Sequence, residues 1–278
     1  MKLTVIIIFW MLNCFSVFSQ KMPSDYFDEG VKFMGSEKTK EAILSFKYIV
    51  DNHPRNELYP RAFYNLGYIY YQDKQYGNAK QIFKSILNSM FNEKEALGGD
   101  IMADPYTNYR HRAAILLHQI YYDTKDYDSS LYYLALSDTA YPYLHFCGNE
   151  YAANEVFMSL RYADVYEKLG NLTKAKQALL KSVFVNLADN TKVIEELKRL
   201  FEKEKGEKGL KKELEKALEN IYPRKETRNN KEYTRYYFKF QETEIAVPFN
   251  FFDSDNFDKS KTIAQIKQTE LYKMIKEL

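Results

Sequence analysis

The sequence predicts a mainly α protein, an α-solenoid of helical hairpins followed by a small C-terminal module of one β-hairpin and one helix. Three observations predict it. A pattern of aromatic and small residues recurs at the interval of one helical hairpin over most of the chain. Helix-end signals fall where that register places helix ends. Near the C-terminus the apolar period changes to two, the spacing of a half-buried strand.

The chain opens with Lys2, an apolar run from Leu3 through Leu12, and Ser16-Val17-Phe18-Ser19-Gln20, whose small residues at Val17 and Ser19 suit signal-peptidase cleavage. Residues 1–19 therefore read as a signal peptide, and the mature chain as exported to the periplasm, the outer envelope or the medium. Asn13 and Ser16 break the apolar run below the ~20 residues that a bilayer span needs, so no integral span is expected after cleavage. Cys14 raises a lipoprotein alternative, against which stand Asn13 before it and the apolar residues that continue past it.

The helical repeats come next. Phe63-Tyr64-Asn65-Leu66-Gly67-Tyr68-Ile69-Tyr70, then Tyr76, Ala79 and Phe83, resemble the tetratricopeptide pattern of aromatic-x2-Leu-Gly-x2-Tyr followed by Ala-x3-Phe. Gly67 and Ala79 fall where the two helices of a hairpin cross, so that small side chains allow close approach; Lys74-Gln75-Tyr76-Gly77 supplies the turn. The template recurs at Tyr26, Gly30, Phe33, Ala42, Phe46 and Pro54. It recurs again at Leu117, Tyr121, Tyr127, Leu134 and Pro142, with His118 and Ser130 in the two small-residue places. A fourth copy reads Tyr162, Ala163, Tyr166, Gly170, Ala175 and Leu179, and a degenerate fifth reads Leu197, Phe201, Leu210, Leu214 and Ala217 before Pro223.

The resemblance implies a tetratricopeptide-type repeat domain over 24–222, with repeats near 24–56, 60–92, 105–142, 150–187 and 191–222. The stretches 92–104 and 140–149 exceed the ideal repeat of about 34 residues and read as inserts. Asp104-Pro105 reads as a cap and first-turn proline opening a helix through about Tyr122, and Asn149-Glu150 as the next helix start. Leu97-Gly98-Gly99-Asp100 reads as a break before the first of these.

After Tyr222-Pro223 the polar run 223–231 reads as a linker, and 232–278 as the C-terminal module. Thr234, Tyr236, Phe238 and Phe240 alternate with Tyr233, Arg235, Tyr237 and Lys239. Ile245, Val247, Phe249 and Phe251 repeat the alternation after Gln241-Glu242-Thr243, so a β-hairpin is expected, with Pro248 placing its second strand at an edge. A final helix is expected from about Ser260 to Glu277. A lone hairpin is marginal in water, so its apolar face must be covered by the last repeat helices or the C-terminal helix, or else present an edge to a partner.

Composition sets the limits of function. The 278 residues suffice for one large or two ordinary domains, and 45% hydrophobic with 28% charged residues is a globular balance that can bury a core. Aromatic residues reach 16%, with 25 Tyr, 19 Phe and the single Trp10 in the leader. Tyrosine suits half-wet helix interfaces, because its ring packs while its hydroxyl reaches water; a Tyr-lined ligand groove would use the same residues. Without Lys2 the balance is 39 basic to 38 acidic residues, which offers no footprint for nucleic acid or an anionic membrane surface. Cys147 remains alone after cleavage, so no intramolecular disulfide forms.

No catalytic, cofactor-binding or metal-binding constellation stands out. Among the four histidines, His53, His111, His118 and His145, the pair His111 and His118 lies two turns apart on one expected helix, too far to share an ion, and reads as packing and surface residues. His145-Phe146-Cys147-Gly148-Asn149 places a histidine near a thiol, as nucleophile pairs require, yet it names no third partner and reads best as a structural insert with a buried thiol. Phosphate loops, His-Glu-x-x-His and Cys-x-x-Cys are absent from the sequence. A non-enzymatic protein is expected.

In the proteins that the chain resembles, the first helix of each hairpin lines a groove for a peptide or partner helix. Carried over, that groove holds Phe27, Val31, Tyr64, Asn65, Tyr68 and Tyr71, with Arg61 at its rim, and continues through Arg112, Gln119, Tyr122, Phe157 and Arg161. Aromatic anchors beside arginines are the usual composition of binding hot spots. Chaperone-binding relatives use a Lys/Asn/Arg clamp; here only Asn65 and Arg112 fall in suitable places while Phe27, Val31 and Leu116 occupy others, so a chaperone tail is not implied. The functions left open are an exported scaffold for a protein or peptide partner, an immunity-type inhibitor of an exported toxin or enzyme, and a cell-envelope assembly component.

Overall fold

The computed structural model describes residues 21–97, 104–204, 209–228, 231–248 and 257–278. The expected leader, Cys14, the break at Gly98–Asp100 and the end of the second expected strand, at Phe249 and Phe251, lie outside these residues. The chain forms two compact units, one ending at Phe91 and one running from Asn92 to Leu278.

In the first unit, α1 (Pro23–Gly35) pairs with α2 (Thr39–Asn52), and α3 (Tyr59–Gln72) with α4 (Tyr76–Leu87); α2 also packs on α3. Close approach at the crossings explains the residue types. A methyl group at Gly30 would lie 2.7 Å from the Phe46 ring, and one at Gly67 would lie 2.8 Å from Ile82 and 2.9 Å from Phe83. Ala42, Phe46, Ala79 and Phe83 are fully buried beside them.

In the second unit, α5 (Tyr109–Asp123) pairs with α6 (Tyr127–Thr139), α7 (Gly148–Lys168) with α8 (Leu172–Leu180), and α9 (Thr191–Lys203) precedes α10 (Leu210–Glu219). Helix α5 begins later than the Asp104-Pro105 signal predicts. Residues before a proline favour extended backbone, and here Tyr106 bridges to Ala96 instead of entering the helix. The start is held from the insert: the Glu93 carboxylate accepts from the backbone N–H of Arg110 at 3.2 Å and from its Nε at 2.8 Å. Asn108 anchors the second insert by exchanging hydrogen bonds with Leu144, its amide donating at 3.0 Å and its carbonyl accepting at 2.9 Å.

Four hairpins share one turn. Glu37, Lys74, Lys125 and Gly170 each sit in the left-handed region, at φ 58°, 57°, 62° and 74°. The residue after each donates its N–H to an aromatic residue's carbonyl one turn back: Lys38 to Phe33, Gln75 to Tyr70, Asp126 to Tyr121 and Asn171 to Tyr166, all at 2.8–2.9 Å. These bonds satisfy carbonyls that the helix end leaves unpaired.

The C-terminal module differs from the expectation in two places. Residues 223–228, expected as linker, belong to β1 (Tyr222–Arg228), which pairs antiparallel with β2 (Lys231–Phe240), itself paired with β3 (Thr243–Ala246). The strand reads as polar because its charged residues find their neighbours across the sheet: Arg224 and Glu226 lie opposite Arg235 and Tyr233. The β2–β3 turn is Gln241-Glu242, both at positive φ, the conformation of a two-residue hairpin loop. The expected single final helix is two, α11 (Lys259–Ile266) and α12 (Glu270–Glu277), because Thr269 caps a new start, its hydroxyl accepting from Tyr272 N–H. Phe238, Phe240, Ile245 and Val247 are buried with Leu197, Phe201, Leu214, Ile266, Leu271 and Ile275. The apolar sheet face is thus covered by the last repeat helices and the C-terminal helices, as a marginal hairpin requires.

Candidate functional site

In the first unit the expected groove residues are half-buried, apart from Val31, which is exposed. Phe27 meets Phe46 edge-on at 5.6 Å and Tyr64 meets Phe83 at 6.1 Å, so these rings also hold their own hairpins together. Tyr68, Tyr71 and Tyr76 form a chain of ring contacts at 6.3 and 6.2 Å along the end of α3 and the start of α4. Arg61 and Asn65 lie on the same helix, half-buried.

In the second unit Arg112, Gln119, Tyr122, Phe157 and Arg161 are half-buried too. Arg112 is engaged: its guanidinium bonds Asp104 at 2.5 Å, and Tyr143 donates to the same carboxylate at 2.7 Å. It thereby ties α5 to its two flanking inserts. Gln119 donates to Asp123 at 2.8 Å. Tyr122 donates to Asp164, and burial together with that carboxylate raises its hydroxyl pKa.

Around Phe157 and Arg161 lies a cavity of about 410 Å3 between α7 and α9. The Arg161 guanidinium stacks over the Phe157 ring at 5.1 Å. Glu167 of α7 accepts from Arg199 and Lys203 of α9, both at 2.9 Å, and hydrogen bonds from Arg199 lead the causes that hold its carboxyl at about 2. Arg199 is neutralised by this pairing, whereas Arg161 forms no ion pair among the described residues.

Three of the histidines are engaged within the fold. His111 Nδ1 donates to the Ser137 and Tyr141 carbonyls at 3.0 and 2.9 Å, and burial lowers its pKa. His118 bonds through Nδ1 to Ser130. His145 Nδ1 accepts from the backbone N–H of Cys147 at 2.9 Å, which places the ring proton on Nε2 and commits the lone pair to the loop. Tyr151 closes that loop, its hydroxyl accepting from His145 N–H at 3.0 Å and donating to His145 O at 2.6 Å. The thiol is half-exposed rather than buried as the sequence predicts, because the bonds that fix the turn use the backbone of Cys147. Among the described residues no group of three or more His, Cys, Asp or Glu side chains can hold a metal ion, and no helix is long and apolar enough to cross a membrane.

A second cleft, of about 1210 Å3, is absent from the sequence-level expectation. It opens between α6, α7 and α8 and the polar face of the sheet. No single stretch of sequence signals it, since its walls come from the flanks of helices in two hairpins and from three strands.

The tetratricopeptide repeat family matches the chain at residues 60–89 and 158–186, which correspond to the α3–α4 hairpin and to the second half of α7 with α8. A solved structure described as the functional characterization of Pseudomonas aeruginosa pilF is 15% identical to the chain, covering 66% of it and 68% of that chain, with a TM-score of 0.44. No curated protein matches the sequence.

Proposed function

We propose, from the premise that this chain is a tetratricopeptide-repeat protein, that it is an exported protein–protein interaction scaffold holding a peptide or partner protein on the first helices of its hairpins. The observation that carries the reading is Arg161. A half-buried guanidinium seated on an aromatic ring, in no ion pair among the described residues and lining a cavity of about 410 Å3, is suited to pair with an acidic group of a partner. Asp164, beside it and already bonded by Tyr122, adds a second polar anchor. In the other unit the Tyr68–Tyr71–Tyr76 ring chain offers the kind of half-exposed aromatic surface that interfaces favour.

The test is affinity capture from the host's envelope fraction with the mature protein, beside Arg161→Ala and Tyr68→Ala variants, with bound proteins identified by mass spectrometry. Loss of one discrete partner with Arg161→Ala supports the reading. Retention of every partner by both variants overturns it. Export is tested separately by the N-terminal sequence of the protein recovered from that fraction, which begins near Gln20 if residues 1–19 are removed.

A further inference from the structure

The larger cleft has a chemistry distinct from the Arg161 cavity. Its volume, about 1210 Å3, exceeds the ~300–1,000 Å3 of ordinary small-molecule pockets, so it suits an extended, oligomeric ligand. Its aromatic groups are tyrosines. Tyr132 and Tyr151 line it at 59% and 41% exposure, large rings left open to solvent on adjacent helices. Tyr162 and Tyr166 stack along α7 at 6.2 Å, and Tyr237 lines the opposite, sheet wall.

Its charges are mixed. Arg224 lies over the Tyr237 ring at 3.9 Å and is already bonded to Glu226 at 2.9 Å and Glu244 at 2.8 Å. Glu155 on α7 and Arg235 on β2 line opposite walls without pairing with each other, and Arg235 lies 4.0 Å from Glu226. Acidic and basic groups of near-equal number line the two walls, so the cleft favours neither an anionic nor a cationic ligand. The charges also exclude an apolar chain, which would strip them of water. A polypeptide strand pairs its backbone with a sheet edge; the edge strand that reaches the cleft through Thr243, Glu244 and Ala246, β3, spans four residues, little length for such pairing, and the other walls are helix flanks and the sheet face.

A pyranose chain fits what remains. Each ring offers a flat C–H face to a tyrosine and a rim of hydroxyls that donate to carboxylates and accept from guanidinium and ammonium groups. We propose that this cleft is a binding site for a neutral oligosaccharide, with Tyr132 and Tyr151 as stacking platforms and Glu155 and Arg235 as hydroxyl partners.

The experiment is isothermal titration of the mature protein with malto-, cello-, manno- and xylohexaose, beside a sulfated heparin hexasaccharide and a neutral unstructured peptide. Tyr132→Ala/Tyr151→Ala and Arg235→Ala are titrated in parallel, after melting curves show them folded. The expected result is saturable binding of at least one neutral hexasaccharide, weakened about tenfold or more by the double variant. No binding of any neutral hexasaccharide overturns the proposal, as does binding that both variants leave unchanged. Preferential binding of the sulfated sugar, or of the peptide with loss in the same variants, also overturns it and assigns the cleft to that other ligand.

Discussion

His118 Nδ1 lies 2.8 Å from Ser130 Oγ at the point where α5 crosses α6, the place that glycine or alanine occupies in the other well-matched hairpins. Two polar residues meet there and satisfy each other: the imidazole N–H donates to the serine oxygen, and the hydroxyl donates to the His118 carbonyl at 3.1 Å. The pair is buried, and the remaining ring nitrogen, Nε2, has no hydrogen-bond partner among the described residues. The crossing is closed by a specific polar contact in place of small side chains.

One consequence is acid sensitivity. Burial lowers the His118 pKa from 6.5 to about 4 in the folded protein. A base whose folded pKa is depressed binds its proton first in the unfolded state, so its contribution is complete above pH ~6.5 and is lost as the pH falls toward 4. The loss amounts to about 3 kcal/mol from His118, with a further loss in the same direction from His111. Thermal melts at pH 7.5, 6, 5 and 4 are expected to show a falling Tm that is blunted in His118→Gln.

Glu167 acts in a lower window. Its folded pKa is held at about 2 against an ordinary 4.5, so its contribution is present above pH ~4.5 and disappears between 4.5 and 2. Glu167→Gln is expected to lower stability at pH 7 by about 1–2 kcal/mol, because Arg199 and Lys203 lose their shared acceptor. Urea titrations at pH 7, 4.5 and 3 separate the two windows: the gap between variant and parent holds from pH 7 to 4.5 and narrows by pH 3.

Close helix approach makes Gly30 and Gly67 sensitive to a single methyl group. At 2.7 Å from the Phe46 ring, the added Cβ of Gly30→Ala forces that fully buried ring to move. A destabilisation of about 1–3 kcal/mol is expected, read by chemical denaturation. Gly30→Ala/Phe46→Leu should recover part of it, which a double-mutant cycle would detect as non-additivity.

The shared turn gives a paired prediction. Gly170→Ala introduces a side chain at φ 74° and is expected to cost about 1–2 kcal/mol. At Lys74, with φ 57°, a lysine already bears that strain, so Lys74→Gly is expected to be neutral or mildly stabilising. Opposite signs in two turns of the same geometry would show that backbone strain, not side-chain contact, governs the position.

The hairpins were legible because each depends on local spacing: Gly67 with Ala79, Gly30 with Ala42, and the aromatic residues that flank them. Legibility failed where distant residues decide. The start of α5 is set by Glu93 reaching across from the insert, so Asp104-Pro105 misleads as a local signal. Strand β1 is recognisable only beside β2, because its charged residues find their partners across the sheet. The break between α11 and α12 turns on the single Thr269 hydroxyl inside an otherwise helical run. Among the expected groove residues, Arg161 and Phe157 come together, while Arg112 is taken by Asp104, which no repeat template includes. The tyrosine content signalled a possible ligand groove without locating it, since its walls are joined only in the folded second unit.

The covered sheet face also bears on how the repeat array ends. A stack of helical hairpins has no intrinsic stopping point: each added hairpin exposes an apolar flank that the next one buries. Left bare, the flank of α9 and α10 would act as a template for a further copy, and head-to-tail addition of that kind propagates into fibres. Phe238, Phe240, Ile245 and the C-terminal helices occupy that flank with a non-repeating fold, which offers no equivalent surface in return. The C-terminal module in this sense caps the flank of α9 and α10 against a further copy of the hairpin.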